Sequence, residues 1–308
     1  MTAMDRPPFK DRLLARLVGV LPQHALSRLA HRATRSTWKP WKNLLIQEVV
    51  QRYQVDMFEA ENPRPTSYPS FNAFFTRALR ADARPVAAEP DAVASPADGH
   101  ISQAGYLQGG RLLQAKGRHY NLLELLAGDH RLARSFDDGA FATIYLSPRD
   151  YHRVHMPLTG RLRSMTFVPG RLLSVNQATT ALVPDLFARN ERLICLFDTA
   201  AGPMAVILVG AIFVGSMETV WAGEVRGRRR EPTTWIYHGA ERLMLRKGQE
   251  LGRFNMGSTV ITLFGRHRVT WDPALQPGVR VRMGEKIGRF KPAARETRAP
   301  RRGDRRRG

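Results

Sequence analysis

LMLRKGQELGRF (243–254) and VRVRMGEKIGRF (279–290) are two versions of one pattern. Each reads as a strand, a glycine turn at Gly248 or Gly284, and a second strand. Such a pair implies two pseudo-symmetric halves of a β-sandwich. Strand-like runs bounded by Gly and Pro surround it at 141–147, 160–168, 192–198, 204–214, 217–225, 258–264, 267–271 and 279–282. Helices are expected at 120–127 and, within 176–189, once more. The strand texture begins near residue 92, so the pattern predicts an α+β chain with a mainly β, sandwich-like domain over 91–290.

Upstream, the periodicity is helical. Leu13, Leu14, Leu17, Val18 and Leu21 fall on one stripe, and after Pro22 a second stripe holds Leu26, Leu29 and Ala30. Arg12, Arg16, Arg28, Arg32 and Arg35 occupy the other faces. This predicts two short basic amphipathic helices, which either lie in a membrane interface or pack on the body. Helices are expected to continue over 43–60 and 68–80, with start signals at Ser67 and Ser70 and with Phe71, Phe74 and Phe75 turned inward. Residues 1–90 therefore read as a helical, membrane-associating region. The Arg-rich end, 291–308, has too little apolar material to fold and reads as a disordered tail.

The 308 residues include 48 Lys+Arg against 27 Asp+Glu, a net charge of +21, and 43% are hydrophobic, enough for a sizeable core. The excess charge gathers in residues 1–42 and 289–308, which hold nine basic and two acidic residues each. Two basic arms suit a polyanion, either nucleic acid or an anionic membrane. The single cysteine, Cys195, sits in an apolar run and reads as a buried strand residue; it excludes an internal disulfide. The longest apolar run, Met204–Gly215, is too short to span a bilayer, and the N-terminus lacks the pattern of a signal peptide. A secreted or membrane-spanning protein is disfavoured.

Four local features carry chemistry. Ser95-Pro-Ala-Asp98-Gly-His100 places an acid in a turn. Tyr151-His152-Arg153-Val154-His155-Met156-Pro157 holds two histidines that converge if the segment is a turn or helical; no third ligand is spaced for a metal, so acid–base work fits better. In Phe254-Asn255-Met256-Gly257-Ser258-Thr259 a hydroxyl follows a glycine carbonyl that can be approached closely. Val214-Gly215-Ser216-Met217-Glu218-Thr219-Val220-Trp221 contains a second Gly-Ser pair, read as a decoy; its alternation suggests a buried strand edge near a site, and Glu218 has no evident role.

These motifs, with LFARNERLICLFDT (186–199), VGSMETVWAG (214–223) and KGQELGRFNMGSTVITLF (247–264), resemble the bacterial pyruvoyl-dependent, membrane-associated phosphatidylserine decarboxylases over residues 40 to 290. The resemblance implies self-cleavage between Gly257 and Ser258 by a triad of Asp98, His155 and Ser258. It implies a pyruvoyl cofactor made from Ser258, with His152 in the decarboxylation step and no metal. The implied product is phosphatidylethanolamine. The processed β and α chains (1–257 and 258–308) would stay together as a homodimer of protomers, peripheral on the cytoplasmic face of an anionic membrane, with no nucleic-acid partner. The family's Leu-Gly-Ser-Thr is Met256-Gly257-Ser258-Thr259 here, a substitution close in volume. Two other readings stay open on the residues alone: a serine hydrolase using Asp98, His155 and Ser258, and a nucleic-acid-binding protein driven by the basic arms.

Overall fold

The computed structural model describes residues 23–115, 118–212, 216–225, 231–256 and 258–293, with backbone alone for 23–25, 177–178 and 258. The expected helix over 11–21, Gly215, Gly257 and the tail from 294 lie outside the described residues. The helices are α1 (Gln23–Thr34), α2 (Lys39–Tyr53), α3 (Phe71–Phe75), α4 (Leu122–Leu125), α5 (His130–Arg134), α6 (Gln177–Leu182) and α7 (Leu186–Arg189). The strands are β1 (Ala92–Ala94), β2 (Gly99–Tyr106), β3 (Arg111–Ala115), β4 (Arg118–Asn121), β5 (Ala140–Leu146), β6 (Arg153–His155), β7 (Gly160–Val168), β8 (Arg192–Thr199) and β9 (Gly202–Gly210). They continue with β10 (Met217–Thr219), β11 (Gly223–Val225), β12 (Thr233–Ile236), β13 (Met244–Leu245), β14 (Glu250–Phe254), β15 (Ser258–Phe264), β16 (Val269–Trp271), β17 (Arg280–Val281) and β18 (Lys286–Phe290).

A nine-stranded antiparallel sheet runs β12-β7-β8-β9-β15-β5-β2-β17, with β13 also on β7. Its central strands are apolar on both faces because both are covered. Val206, Leu208, Val260 and Phe264 face the small sheets β1-β18-β16 and β11-β10-β14-β6, which supply Val93, Val154, Leu251, Phe254 and Ile287. Ala205, Ile207, Val209, Ile261 and Leu263 face the other way, against Leu112, Tyr120, Leu125, Phe136 and Phe187. Cys195 is fully buried, and that burial pushes its thiol pKa well up.

The pseudo-symmetry is visible pair by pair. Val93↔Gly288 and Ala94↔Lys286 in one half repeat as Val154↔Gly252 and His155↔Glu250 in the other, with the register shift at the same step. Val281↔Gly99 repeats as Leu245↔Gly160. The shift between Ile101 and Gln103 repeats between Leu162 and Ser164. Gly248 (φ +81°) and Gly284 (φ +89°) hold the left-handed corner that the repeated turn demands. In each copy a backbone amide (Arg246, Arg282) donates to the side chain three residues on, Gln249 at 2.6 Å and Glu285 at 2.9 Å.

Several expected bounds change. The helix expected over 68–80 is only Phe71–Phe75: Ser70 caps it by accepting from the Ala73 amide, and the Thr76 hydroxyl takes the Asn72 carbonyl. The one expected over 43–60 is Lys39–Tyr53, closed by Gln54 in the left-handed region. The 176–189 segment splits into α6 and α7 around Pro184. The run at 217–225 is a hairpin of β10 and β11. In α1, the inward face is Ser27, His31 and Thr34, and Leu29 points out. Lys291 and Ala293, placed in the expected tail, still donate to Arg268 O and Ala200 O.

Candidate active site

The segments of Asp98 and His155 meet because the two halves meet there. The His155 amide donates to Pro96 O (2.7 Å), and its pseudo-equivalent Ala94 donates to Pro157 O (3.1 Å). The acidic and the histidine motifs are thus laid across one another by backbone bonds. Their side chains, however, take separate partners.

Asp98 is buried and receives Arg84 twice, Nε to Oδ1 at 2.9 Å and Nη2 to Oδ2 at 2.6 Å. Met283 N–H also donates to Oδ1 (2.8 Å). Arg84 binds Glu59 as well (2.6 Å). Burial works against the Arg84 charge, but the bonds to Asp98 and Glu59 outweigh it and raise the pKa. The same bonding to Arg84 lowers the pKa of Glu59. In the other half the Met283–Asp98 bond has a counterpart, Lys247 N–H to Thr159 Oγ1 at 3.0 Å. One oxygen of Asp98 thus does a scaffold task that a hydroxyl does elsewhere; the second carboxylate oxygen and the charge are additional.

His155 Nδ1 lies 2.9 Å from Gly248 O, which can only accept, so Nδ1 carries the proton. Nε2 is then the lone pair, and Tyr151 Oη donates to it at 3.0 Å. Burial lowers the His155 pKa, while the Gly248 carbonyl, Glu250 and Asp98 favour the charged ring. No hydrogen bond joins Asp98 to His155 among the described residues.

His152 is fully buried, with its ring centroid 3.9 Å from that of Phe75. Nδ1 donates to Asp150 O (2.8 Å), which leaves Nε2 a bare lone pair without a partner among the described residues. Burial, reinforced by the charge of Arg77, pushes its pKa down to about 3. The two histidines do not converge as a turn would make them. His152 precedes the strand Arg153–His155 and lies against Phe75, whereas His155 ends that strand and bonds Tyr151 and Gly248 O.

Ser258 opens β15, its backbone paired to Leu146 on one side and Gly210 on the other. The loop after Leu146 runs straight to His152: Ser147 N–H donates to Asp150 Oδ2 (2.7 Å), and Asp150 O holds the ring. Met256 packs on the apolar cluster that includes Phe71, Phe74 and Phe75, the last of which lies tilted against His152. His152 and the segment before Ser258 therefore share one apolar wall. Met256 has φ +95°, a strained value for a residue with a side chain. Gly257 lies outside the described residues.

A cavity of about 140 Å³ beside Tyr151 is lined by five arginines (Arg77, Arg84, Arg149, Arg280 and Arg282) and four acids (Asp56, Glu59, Asp98 and Asp150). Sequence reasoning missed Arg84 and Arg77, whose partners are distant in sequence, and gave no role to Tyr151 although it stands in the histidine motif four residues from its partner. Among the described residues no group of His, Cys, Asp or Glu is arranged to hold a metal ion.

Known proteins are similar to this chain over most of its length. The family model described as phosphatidylserine decarboxylase matches residues 71–289, and one described as PSD matches 13–54. A phosphatidylserine decarboxylase proenzyme of Methylococcus capsulatus is 56% identical over 283 residues, covering 91% of this chain and 97% of the relative. Proteins of the same name from Pseudomonas aeruginosa (57% over 281 residues; 90% and 96%) and Azotobacter vinelandii (56% over 282; 91% and 98%) are similar to the same extent. The chain belongs to the phosphatidylserine decarboxylase family.

Proposed function

We propose that the chain is a proenzyme that cuts itself between Gly257 and Ser258 and then decarboxylates phosphatidylserine to phosphatidylethanolamine. The observation that carries this reading is Met256. It is held at φ +95° in the three-residue link from β14 into β15. A residue forced there stores on the order of 1–3 kcal/mol, one residue before the bond to be cut.

Ser258 Oγ attacks the Gly257 carbonyl carbon, turning the amide into an ester and freeing the Ser258 nitrogen as an amine. His155 takes the hydroxyl proton. Its tautomer suits the task, with Nδ1–H fixed on Gly248 O and the lone pair on Nε2. To act, Nε2 must exchange the Tyr151 hydroxyl for that of Ser258. The charge of Asp98 favours the imidazolium that forms. Loss of the Ser258 α-proton then expels the Gly257 carboxylate from Cβ and leaves dehydroalanine. Water replaces its nitrogen, ammonia departs, and a pyruvoyl group caps chain 258–308.

The residues present fit such a group. Its carrier strand is paired on both sides, and His152, whose buried Nε2 has no partner among the described residues, lies against Phe75 of the cluster on which Met256 packs. The pyruvoyl carbonyl supplies the electron sink for carbon dioxide loss. His152, neutral at its depressed pKa, adds no cation to stabilise the departing carboxylate. For His152 to return a proton to the headgroup carbon, cleavage must first raise its pKa by admitting water or an acid. We assign this cavity, where five arginines stand among four carboxylates, to the lipid's serine headgroup, which carries charges of both signs.

We further propose peripheral binding to the cytoplasmic face of an anionic membrane, and a homodimer of processed protomers. Leu29 and Trp38 are 65% and 67% exposed beside exposed Arg28, Arg32 and Lys39. Each such cation contributes roughly 1 kcal/mol near an anionic surface. No helix among the described residues is long and apolar enough to cross a membrane. A serine hydrolase using the same three residues fits less well, since Ser258 opens a strand and not a strand-to-helix elbow.

Intact mass and a denaturing gel test the reading. Active protein is expected as two chains with a pyruvoyl terminus on the smaller, and Ser258→Ala as one uncut chain. Active protein that stays whole at 34.7 kDa, or a Ser258→Ala variant that still cuts, overturns it.

A further inference from the structure

The exit from β14 has a counterpart in the other half, and the comparison separates scaffold from addition. Asn255 N–H donates to Ser216 O (2.9 Å), just as Lys291 N–H donates to Arg268 O (2.8 Å) at the end of β18. That main-chain bond belongs to the shared fold. Around Asn255 a side-chain network is built on top of it. Asn72 Nδ2 donates to Asn255 Oδ1 (3.0 Å), and Asn255 Nδ2 donates to Ser216 Oγ (2.9 Å). Ser216 Oγ donates to Glu224 Oε1. Glu224 also receives Arg35 Nη1 (2.9 Å) and His31 Nε2 (3.1 Å) from the end of α1.

The direction of this chain is fixed by chemistry. A carboxylate only accepts, so the Ser216 hydroxyl must donate to Glu224, and its lone pair must accept from the Asn255 amide. Asn255 and Ser216 are both 2% exposed. Bonds of this kind polarise one another and resist slippage in a dry setting. The held residue directly precedes Met256, whose backbone is strained, and lies two before Gly257.

We infer that Asn255, Ser216 and Glu224 are positioning residues for self-cleavage, clamping the strained link, and that they tie its geometry to helix α1. This rests on the processing reading above. Strain relaxes unless the surroundings over-determine it, and this network holds one end of the strained link. Because Arg35 and His31 form its outer end, a displacement of α1 reaches the scissile segment through Glu224.

The test is the rate at which full-length precursor, made by cell-free synthesis, separates into two chains on a denaturing gel. Stability is read separately, as the melting temperature of each variant in a Ser258→Ala background. Asn255→Ala and Ser216→Ala are expected to slow cleavage about tenfold or more, while the melting temperature stays within about 3 °C of the parent. Ser216→Thr, which keeps the hydroxyl, is expected to recover most of the rate. Glu224→Gln keeps an acceptor for Ser216 but loses the charge that holds α1; it and Arg35→Ala are expected to slow cleavage about threefold. Unchanged rates, or rates that fall only in step with melting temperature, overturn the assignment. If the buried variants do not fold, Arg35→Ala and Glu224→Gln decide it alone, and a parental rate in both overturns it. A wild-type precursor that never cleaves would instead sink the processing reading itself.

Discussion

Asp98 has two tasks that one substitution can separate, because the other half of the fold supplies a template for the first. Thr159 accepts the Lys247 amide where Asp98 accepts that of Met283. Asp98→Thr therefore keeps the scaffold bond but removes the charge facing Arg84. Arg84 is buried with its side chain 4% exposed, and its remaining acid, Glu59, is 25% exposed. Breaking a buried pair costs about 3–5 kcal/mol. With Glu59 still in place the lower end applies, so a loss of about 3 kcal/mol is expected. For a domain of this size that is roughly 6–12 °C in melting temperature. Replacing Arg84 as well, by Met, removes the stranded charge, and the double variant is expected to regain most of the loss.

The assay is paired. Thermal melts of Asp98→Thr, Arg84→Met and the double variant are taken in the Ser258→Ala background, and cleavage of the same variants is followed with Ser258 intact. If Asp98 also supports His155, the double variant is stable yet stays uncut. An Asp98→Thr protein that melts like its parent would show that the ion pair contributes nothing. A double variant that cuts at the parental rate would refute a role for Asp98 in processing.

Other outcomes follow from the same geometry. Tyr151→Phe removes the donor that stabilises neutral His155, so cleavage should persist and its acid limb should move to higher pH; a variant that no longer cuts would contradict the exchange at Nε2. Gly252→Ala places a Cβ 2.1 Å from Glu218 O, so it should push β10 from β14 and lower the yield of folded, cleaved protein, and normal cleavage would count against that register. His152 and His155 have pKa values below the unfolded 6.5, so the unfolded chain binds more protons, and stability present above pH 6.5 is lost as pH falls toward the folded values. Each contributes a slope of up to about 1.4 kcal/mol per pH unit. Burial raises Glu191 to about 7, which opposes one of them above pH 4.5. Melts in the Ser258→Ala background should fall from pH 6.5 toward pH 4, and a flat profile would refute the buried, neutral histidines.

What could be read from sequence was whatever had a local cause. Gly160–Val168 and Ser258–Phe264 match the expected runs because alternating or continuous apolar residues stop at Gly or Pro. The repeated glycine turn carried the pseudo-symmetry because only a left-handed corner closes it. β2, GHISQAGY, was missed: it has few large apolar residues and a bulge that breaks its alternation. The three-residue β6 was too short to show a period, and so the histidine segment was read as a turn or helical. Ser216 was read as a decoy on a strand edge near a site, since its own role depends on Asn255 and Glu224, which no spacing rule brings near it. The proposed triad was reached only through resemblance to a family; Arg84 left no local signal, and Tyr151, inside the quoted motif, was given no role.

The position of the proposed cut follows from the topology. In the second half, Thr199 of β8 pairs with Gly202 of β9 through a tight turn in which the Thr199 hydroxyl donates to Gly202 O (2.7 Å). In the first half the matching strands, β5 and β15, also pair from end to end, Leu146 to Ser258, yet they are not consecutive. The whole second half is inserted between them, entering after Leu146 and leaving through 255–257. The Gly257–Ser258 bond is therefore the exit of an insertion, and no strand is divided when it breaks. Strand β15 keeps seven residue pairs with β5 and seven with β9. Val260, Ile261, Leu263 and Phe264 remain fully buried, worth roughly 6–12 kcal/mol together. Chains 1–257 and 258–308 should accordingly elute as one species from size exclusion in native buffer and separate only in denaturant. Release of the smaller chain without denaturant would mean that β15 is held by the bond and not by the sheet.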